Sequence, residues 1–141
     1  MDIDKLLHAL NNDNNEAIVD LDYVQIAKEK NDILQQLNLH KSELIRLNKQ
    51  LKSYRNIEDM KDLRFGGYIR WIPLKNPEII KLTNGGILCD IKAIGDDIHL
   101  KVKTKMNQLF QIKMAEVLLF QKLSEQEQII LKALKVLQQE H

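Results

Sequence analysis

YVQIAKEKNDILQQLNLHKSELIRLNKQLKSY, residues 23–54, decides how the rest of the chain is read. Place heptad a positions at Tyr23, Lys30, Leu37, Leu44 and Leu51. The d positions then fall at Ile26, Ile33, His40, Leu47 and Tyr54. Eight of these ten positions are apolar or aromatic, and no Pro or Gly interrupts them. A 3.5-residue apolar period is what a left-handed coiled coil needs to keep one stripe facing a partner. The spacing therefore predicts a long coiled-coil helix over residues 21–63. It would self-associate through a seam of Tyr23, Ile26, Ile33, Leu37, His40, Leu44, Leu47, Leu51 and Tyr54. A helix of that length is not held by propensity alone, so its stripe must be buried somewhere. Lys30 and His40 weaken the seam and would set its register. The competing reading is a helix folded back in an antiparallel pair or packed on the rest of the chain.

N-terminal to this helix lies an acidic arm, residues 1–20. Residues 1–22 carry a net charge of −5. A short helix is expected over 2–11, with Ile3, Leu6, Leu7 and Leu10 on one side. The Asn11–Asn15 cluster should then act as a flexible hinge. An acidic amphipathic arm of this kind could dock on a partner or on a basic surface of its own or a neighbouring subunit.

C-terminal to the helix the apolar period changes to two. Gly66-Gly67 ends the helix. Strands are expected at Tyr68–Ile72, stopped by Pro73, and at Glu78–Leu82. Asn84-Gly85-Gly86 signals a tight turn, because these residues tolerate positive φ. A further strand covers Ile87–Ile94, with Ile87, Cys89, Ile91 and Ala93 inward. Gly95-Asp96-Asp97 turns the chain. Ile98, Leu100 and Val102 then point inward, and His99, Lys101 and Lys103 outward. Leu109–Met114 continues with Phe110, Ile112 and Met114 inward, and Val117–Phe120 is a last strand. Short strands joined by tight turns imply a small antiparallel β-barrel over 64–122, of Tudor-like or Sm-like type by strand count. Ser124-Glu125-Gln126-Glu127 has capping-box spacing, and an amphipathic helix should occupy about 125–139 of the terminal segment 123–141. The fold class is α+β.

The segments FGGYIRWIPL, KLTNGGILCDI, GDDIHLKVK and LFQIKMAEVLLF, within residues 65–120, together resemble small β-domains in uncharacterised proteins of nucleocytoplasmic large DNA viruses. The likeness is a Gly-Gly entry to a strand, a second Gly-Gly and a final apolar strand. It implies a viral setting, in host cytoplasm or virion, and assigns no functional residue.

Bulk properties exclude several classes. The chain has 141 residues, 44% of them hydrophobic and only 5% aromatic, so its core rests on Ile and Leu. The single cysteine, Cys89, cannot form an intrachain disulfide, and an intracellular, cytoplasmic setting follows as the expectation. No apolar run reaches the ~20 residues of a membrane span, and no signal-peptide pattern opens the chain. The four histidines are scattered and one cysteine makes no zinc spacing, so no metal or cofactor is expected. Cys89 reads as a core thiol, and Asp96-Asp97 as a hairpin tip. Neither glycine pair has a phosphate-loop pattern. No catalytic constellation is seen, and the chain is expected not to be an enzyme.

One surface pattern carries chemistry. Residues 64–122 have a net charge of +5. Lys101, Lys103 and Lys105 alternate along one strand, and Lys113 and Lys92 could join them. A basic stripe can track a phosphate backbone, although lysines also protect exposed strand edges. The expectation is a non-enzymatic oligomeric scaffold or adaptor, which the resemblance would make a viral structural or assembly component. Its partners would be itself, through the coiled coil, and an unidentified protein. The alternative is a nucleic-acid-binding protein that uses Lys92, Lys101, Lys103, Lys105 and Lys113. A scaffold requires an exposed apolar patch or an open strand edge.

Overall fold

The computed structural model describes residues 2–15, 18 and 21–139. It is an α+β chain in which residues 23–54 do not form one helix. α1 spans Ile3–Leu10, α2 spans Tyr23–Gln35 and α3 spans Lys41–Gln50. After β1, Tyr54–Ile57, come β2 at Tyr68–Pro73, β3 at Gly86–Ile94, β4 at Asp97–Lys103, β5 at Leu109–Lys113 and β6 at Val117–Lys122, and then α4 at Glu125–Gln139. The six strands make one antiparallel sheet in the order β1-β6-β2-β3-β4-β5.

The coiled-coil helix over 21–63 is thus corrected to two short helices and a strand. Asn38 adopts φ 53 between α2 and α3, a left-handed conformation that ends a helix. Neighbouring Leu34 is fully buried, as is Leu51, and Leu47 is nearly so. They pack with Ile72 and Phe120 of the sheet, joined by Ile33, Leu37, Leu44 and Tyr54. Tyr23 and Ile26 pack instead near α4, and His40 is exposed at the N-cap of α3. The apolar stripe is real, but it is buried within the chain. Lys30, at a seam position, is buried and donates from Nζ to Leu51 O (2.7 Å) and Tyr54 O (3.0 Å). It satisfies carbonyls at the end of α3 and along β1.

The barrel over 64–122 is corrected as well. β1 and β5 lie at opposite ends of the strand order and do not pair, so the sheet is open. It bends between β2 and β3, which share only Tyr68↔Ile87 and Ile69↔Gly86. Its inner face forms a single core of Ile57, Ile69, Trp71, Leu88, Leu100, Val102 and Leu119, closed by Leu63. The opposite face of β2 and β6 carries Ile72, Leu118 and Phe120 against α2 and α3. Glu78–Leu82 forms no strand; Leu82 is buried against Ile72 and Phe120 while its backbone runs as a loop.

In β3 the expected alternation shifts phase. Leu88 pairs with Val102 and Asp90 with Lys101, which leaves Cys89 as the extra residue of a bulge. Leu88 and Ile91 therefore face the core, whereas Ile87, Cys89 and Ala93 are exposed. The strand Tyr68–Ile72, the 95–97 turn, β4 and β5 lie close to their expected bounds.

The N-terminal cluster is not a free hinge in its described part. Asn15 is buried and donates to Ala9 O (2.8 Å) and Gln126 Oε1 (3.1 Å), and Asn12 donates to the same Gln126 oxygen at 2.9 Å. α1 buries Ala9 against Ile130 and Leu131 of α4, so the arm docks on the chain's own helix. Its acids Glu16 and Asp20 lie outside the described residues.

The capping box of α4 is formed: Glu127 N donates to Ser124 Oγ (3.0 Å) and Ser124 N to Glu127 Oε1 (2.9 Å). The same buried carboxylate accepts from Arg64 Nε at 3.0 Å and lies 3.9 Å from Arg55 Nε. A cap residue therefore also ties the start of α4 to β1 and to the loop before β2.

Truncating Leu47 to Ala should cost about 2–5 kcal/mol of stability. Because its contacts are within one chain, the denaturation midpoint should be independent of protein concentration; a midpoint that rises with concentration would restore an intermolecular seam. A second expectation concerns Lys30, whose pKa burial pushes below the usual lysine value of 10.5. Between the lowered value and 10.5 the unfolded chain holds the extra proton, so stability should rise with pH there. Burial raises Tyr23 and Tyr54 above 10.0, which gives the opposite slope at higher pH in any variant that keeps both. Chemical denaturation of wild type and Lys30→Met across this range should therefore show a stability difference that shifts toward wild type as pH rises. A constant difference would contradict it.

Candidate binding cleft between β2 and β5

The bend between β2 and β3 turns β2 toward β5 without joining them. β2 is a central strand covered on both faces, which is why Trp71 and Ile72 are consecutive and both buried. Trp71 faces inward. Its backbone N–H donates to Thr83 Oγ1 (3.2 Å), and its backbone carbonyl accepts from Thr83 N (2.9 Å). Arg70 Nε donates to Thr83 O (2.8 Å), and Tyr68 donates its hydroxyl to Asn84 O (2.7 Å). The 83–85 segment is thus fastened along β2. Gly85 has φ +79, and a Cβ there would collide with Ile69 O. Only glycine permits so close an approach of two backbones.

The opposite wall is the β4–β5 hairpin. Thr104 N donates to Gln108 O (2.9 Å), and Asn107 takes φ 60 at the tip. Phe110 pairs with Val102 and Ile112 with Leu100, so both project to the inner face. Between the walls lies a cleft of about 800 Å³, floored by Trp71 and Ile112 and flanked by Tyr68, Phe110 and Met106. Its mouth is apolar. Met106 is 81% exposed and Phe110 48%. Tyr68 and Lys105 are the ionisable side chains that line it. A second hollow of about 480 Å³ continues past Trp71 and Ile112, with Lys75, His99, Lys113 and Glu116 along it.

This lining offers apolar area, the Thr83 and Thr104 hydroxyls, backbone groups and one ammonium. Such an arrangement is suited to holding side chains of a ligand in a mostly apolar concavity.

The lysines named from the sequence divide between two surfaces. Lys101 and Lys103 are exposed on the outer face of β4. Lys113 and Lys92 flank His99 on that face, from β5 and β3. The face is not purely basic, since Asp90 stands beside Lys101, 3.9 Å from Lys92, and Asp97 is 3.9 Å from Lys113. Lys105 lies in the hairpin at the cleft mouth. Cys89, expected in the core, is exposed on the outer side through the bulge. None of the seam residues lines this cleft. Sequence reasoning placed Phe110 and Ile112 inward but missed the cleft, because nothing local brings residues 68–85 opposite residues 104–112.

No family model, curated protein or solved structure matches the chain. Nothing in these comparisons links the chain to the viral β-domains, and Gly85, part of the glycine pattern behind that expectation, has a local steric reason. No helix among the described residues is long and apolar enough to cross a membrane.

Replacing Thr83 by Val keeps its shape but removes the acceptor for the Trp71 N–H. A buried donor left unpaired costs about 1–3 kcal/mol. The variant should lose stability in that range and shift the emission of Trp71, the only tryptophan. Unchanged emission and stability would show that Thr83 does not hold the cleft wall.

Proposed function

We propose that this chain is a non-enzymatic interaction module, an adaptor that seats apolar side chains of a partner protein in the cleft between β2 and β5. The observation that carries this reading is the apolar mouth. Met106 and Phe110 are large hydrophobic side chains left in contact with water at the rim of a concavity beside an outer strand. Scattered exposed hydrophobics need no explanation, but a contiguous group around a cleft marks an interaction site. The oligomeric part of the scaffold idea has no support in the fold, since the apolar stripe of residues 23–54 is used internally.

Nucleic-acid binding is the second reading. It is favoured by one observation, the joint exposure of Lys101, Lys103 and Lys113 on the outer face. Asp90 and Asp97 weaken that face.

Trp71 provides the assay. Peptides selected from a random displayed library on the full-length protein should change its emission saturably. Phe110→Ala and Met106→Ala should each weaken binding about tenfold, which corresponds to ~1.4 kcal/mol. Ligands that bind the Phe110→Glu variant equally well would remove the cleft from the function. Oligonucleotide binding that falls steeply with salt, and is lost on Lys101→Glu/Lys103→Glu/Lys113→Glu substitution, would establish the second reading instead.

A further inference from the structure

We infer that the cleft's partner is an extended acidic segment that adds as a strand to the open edge of β5. This rests on the reading of the cleft as the binding site and specifies what enters it. The first argument is the backbone. β5 is the last strand in the sheet order, and the Thr104–Gln108 bond sets the alternation along the hairpin. Residues 108, 110 and 112 therefore direct their amides and carbonyls to β4. Leu109, Gln111 and Lys113 direct theirs to the outside. The other edge of the sheet is treated differently: Lys30 reaches from α2 and donates to Tyr54 O of β1. Among the described residues no comparable group covers β5. An unpaired row of alternating donors and acceptors is a template for another strand.

The second argument is side-chain spacing. Phe110 and Ile112 point into the cleft while Leu109 and Gln111 hold the edge. The two hollows lie on either side of Trp71 and Ile112. A paired strand presents alternate side chains to one face. A ligand with apolar residues at alternate positions would fill the hollows successively.

The third argument is charge. Lys105 stands at one end of the groove, and Lys75 and Lys113 at the other. Among the described residues Glu116 is the one acid lining either hollow; it lies 3.3 Å from Lys75, and Asp97 lies 3.9 Å from Lys113, which leaves Lys105 as the lysine of the groove without an ion pair. Acidic residues flanking the apolar positions complement this arrangement. A single-stranded nucleic acid fits less well. Trp71 is only 7% exposed and offers no open face for stacking. Phosphates accept hydrogen bonds but donate none, so a phosphodiester backbone cannot pair with the alternating amides and carbonyls of β5 as a peptide backbone does.

The test uses the full-length protein and a synthetic peptide with alternating Val or Ile, Glu residues at both ends and neutral polar residues between. Binding is read by Trp71 emission, and amide exchange at Leu109 and Gln111 by NMR. The expected result is saturable binding with slowed exchange at both amides. Methylation of the peptide nitrogens that face β5 should weaken binding about tenfold. Lys105→Glu/Lys113→Glu should weaken it about fivefold and improve binding of the Lys-for-Glu peptide. Both lysines are exposed, and circular dichroism checks that the variant folds. Phe110-dependent binding that leaves both amides unprotected and tolerates methylation would overturn strand addition while the cleft keeps its role. Equal binding of the acidic and basic peptides would overturn the charge assignment. Binding that is indifferent to Phe110→Ala would remove both readings, and displacement of the peptide by oligo(dT) at the cleft would overturn the choice of a peptide partner.

Discussion

β6 is buried on both faces, and the rest of the structure is arranged around that fact. Leu119 faces the inner core with Trp71 and Leu100. Leu118 and Phe120 face the helices. A strand covered on two sides reads as a continuous apolar run, and LLF at 118–120 is such a run. It needs a layer on each side. The inner side is supplied by the sheet bending over itself, and the outer side by α2 and α3 folded at Asn38. A single straight helix over 21–63 could not cover this face and also deliver Tyr54–Ile57 to pair with β6. Burial of Phe120 thus decides against the extended coiled coil, although the heptad spacing favours one.

Polar groups inside this arrangement are tied off by long side chains. Glu127 collects the Ser124 amide and the Arg64 guanidinium, with Arg55 close by. Gln121 exchanges hydrogen bonds with the backbone of Arg64, from Nε2 to Arg64 O and from Arg64 N to Oε1, each 2.8 Å. Lys30 closes the α3 end and one sheet edge. Buried charge without such partners would be strongly destabilising. These contacts hold one end of the sheet firmly. Among the described residues, the clusters packed by the helices include nothing of β5 or the 104–108 hairpin at the other end. The cleft arises from that asymmetry: a curled sheet with a covered edge and an uncovered one leaves apolar inner-face residues at its open side.

Much of the local structure was legible. The strands near Tyr68–Ile72, 87–94 and 97–103, the glycine turns and the capping box follow from period, turn chemistry and side-chain hydrogen bonding, all short-range. The phase of β3 was not legible before Cys89, because a bulge inserts one residue without an obligatory sequence mark. Cys89 and Ile87 were accordingly placed inward when they face out. Residues 78–82 alternate like a strand but make no strand pairing, and Leu82 is buried from a loop.

By itself, then, the sequence determined the α+β class, the amphipathic faces, most turn positions and the start of α4, because each depends on residues within a few positions of one another. The apolar stripe of residues 23–54 was also correctly identified as something to be buried. Which surface buries it was decided by tertiary structure, since a 3.5-residue stripe fits a second helix or a sheet face equally well. Tertiary structure likewise decided that the sheet stays open and that Tyr68, Trp71, Met106, Phe110 and Ile112 meet around one cleft. That meeting depends on the bend between β2 and β3, where two glycines allow backbones to approach, and on strand order, which no local pattern encodes.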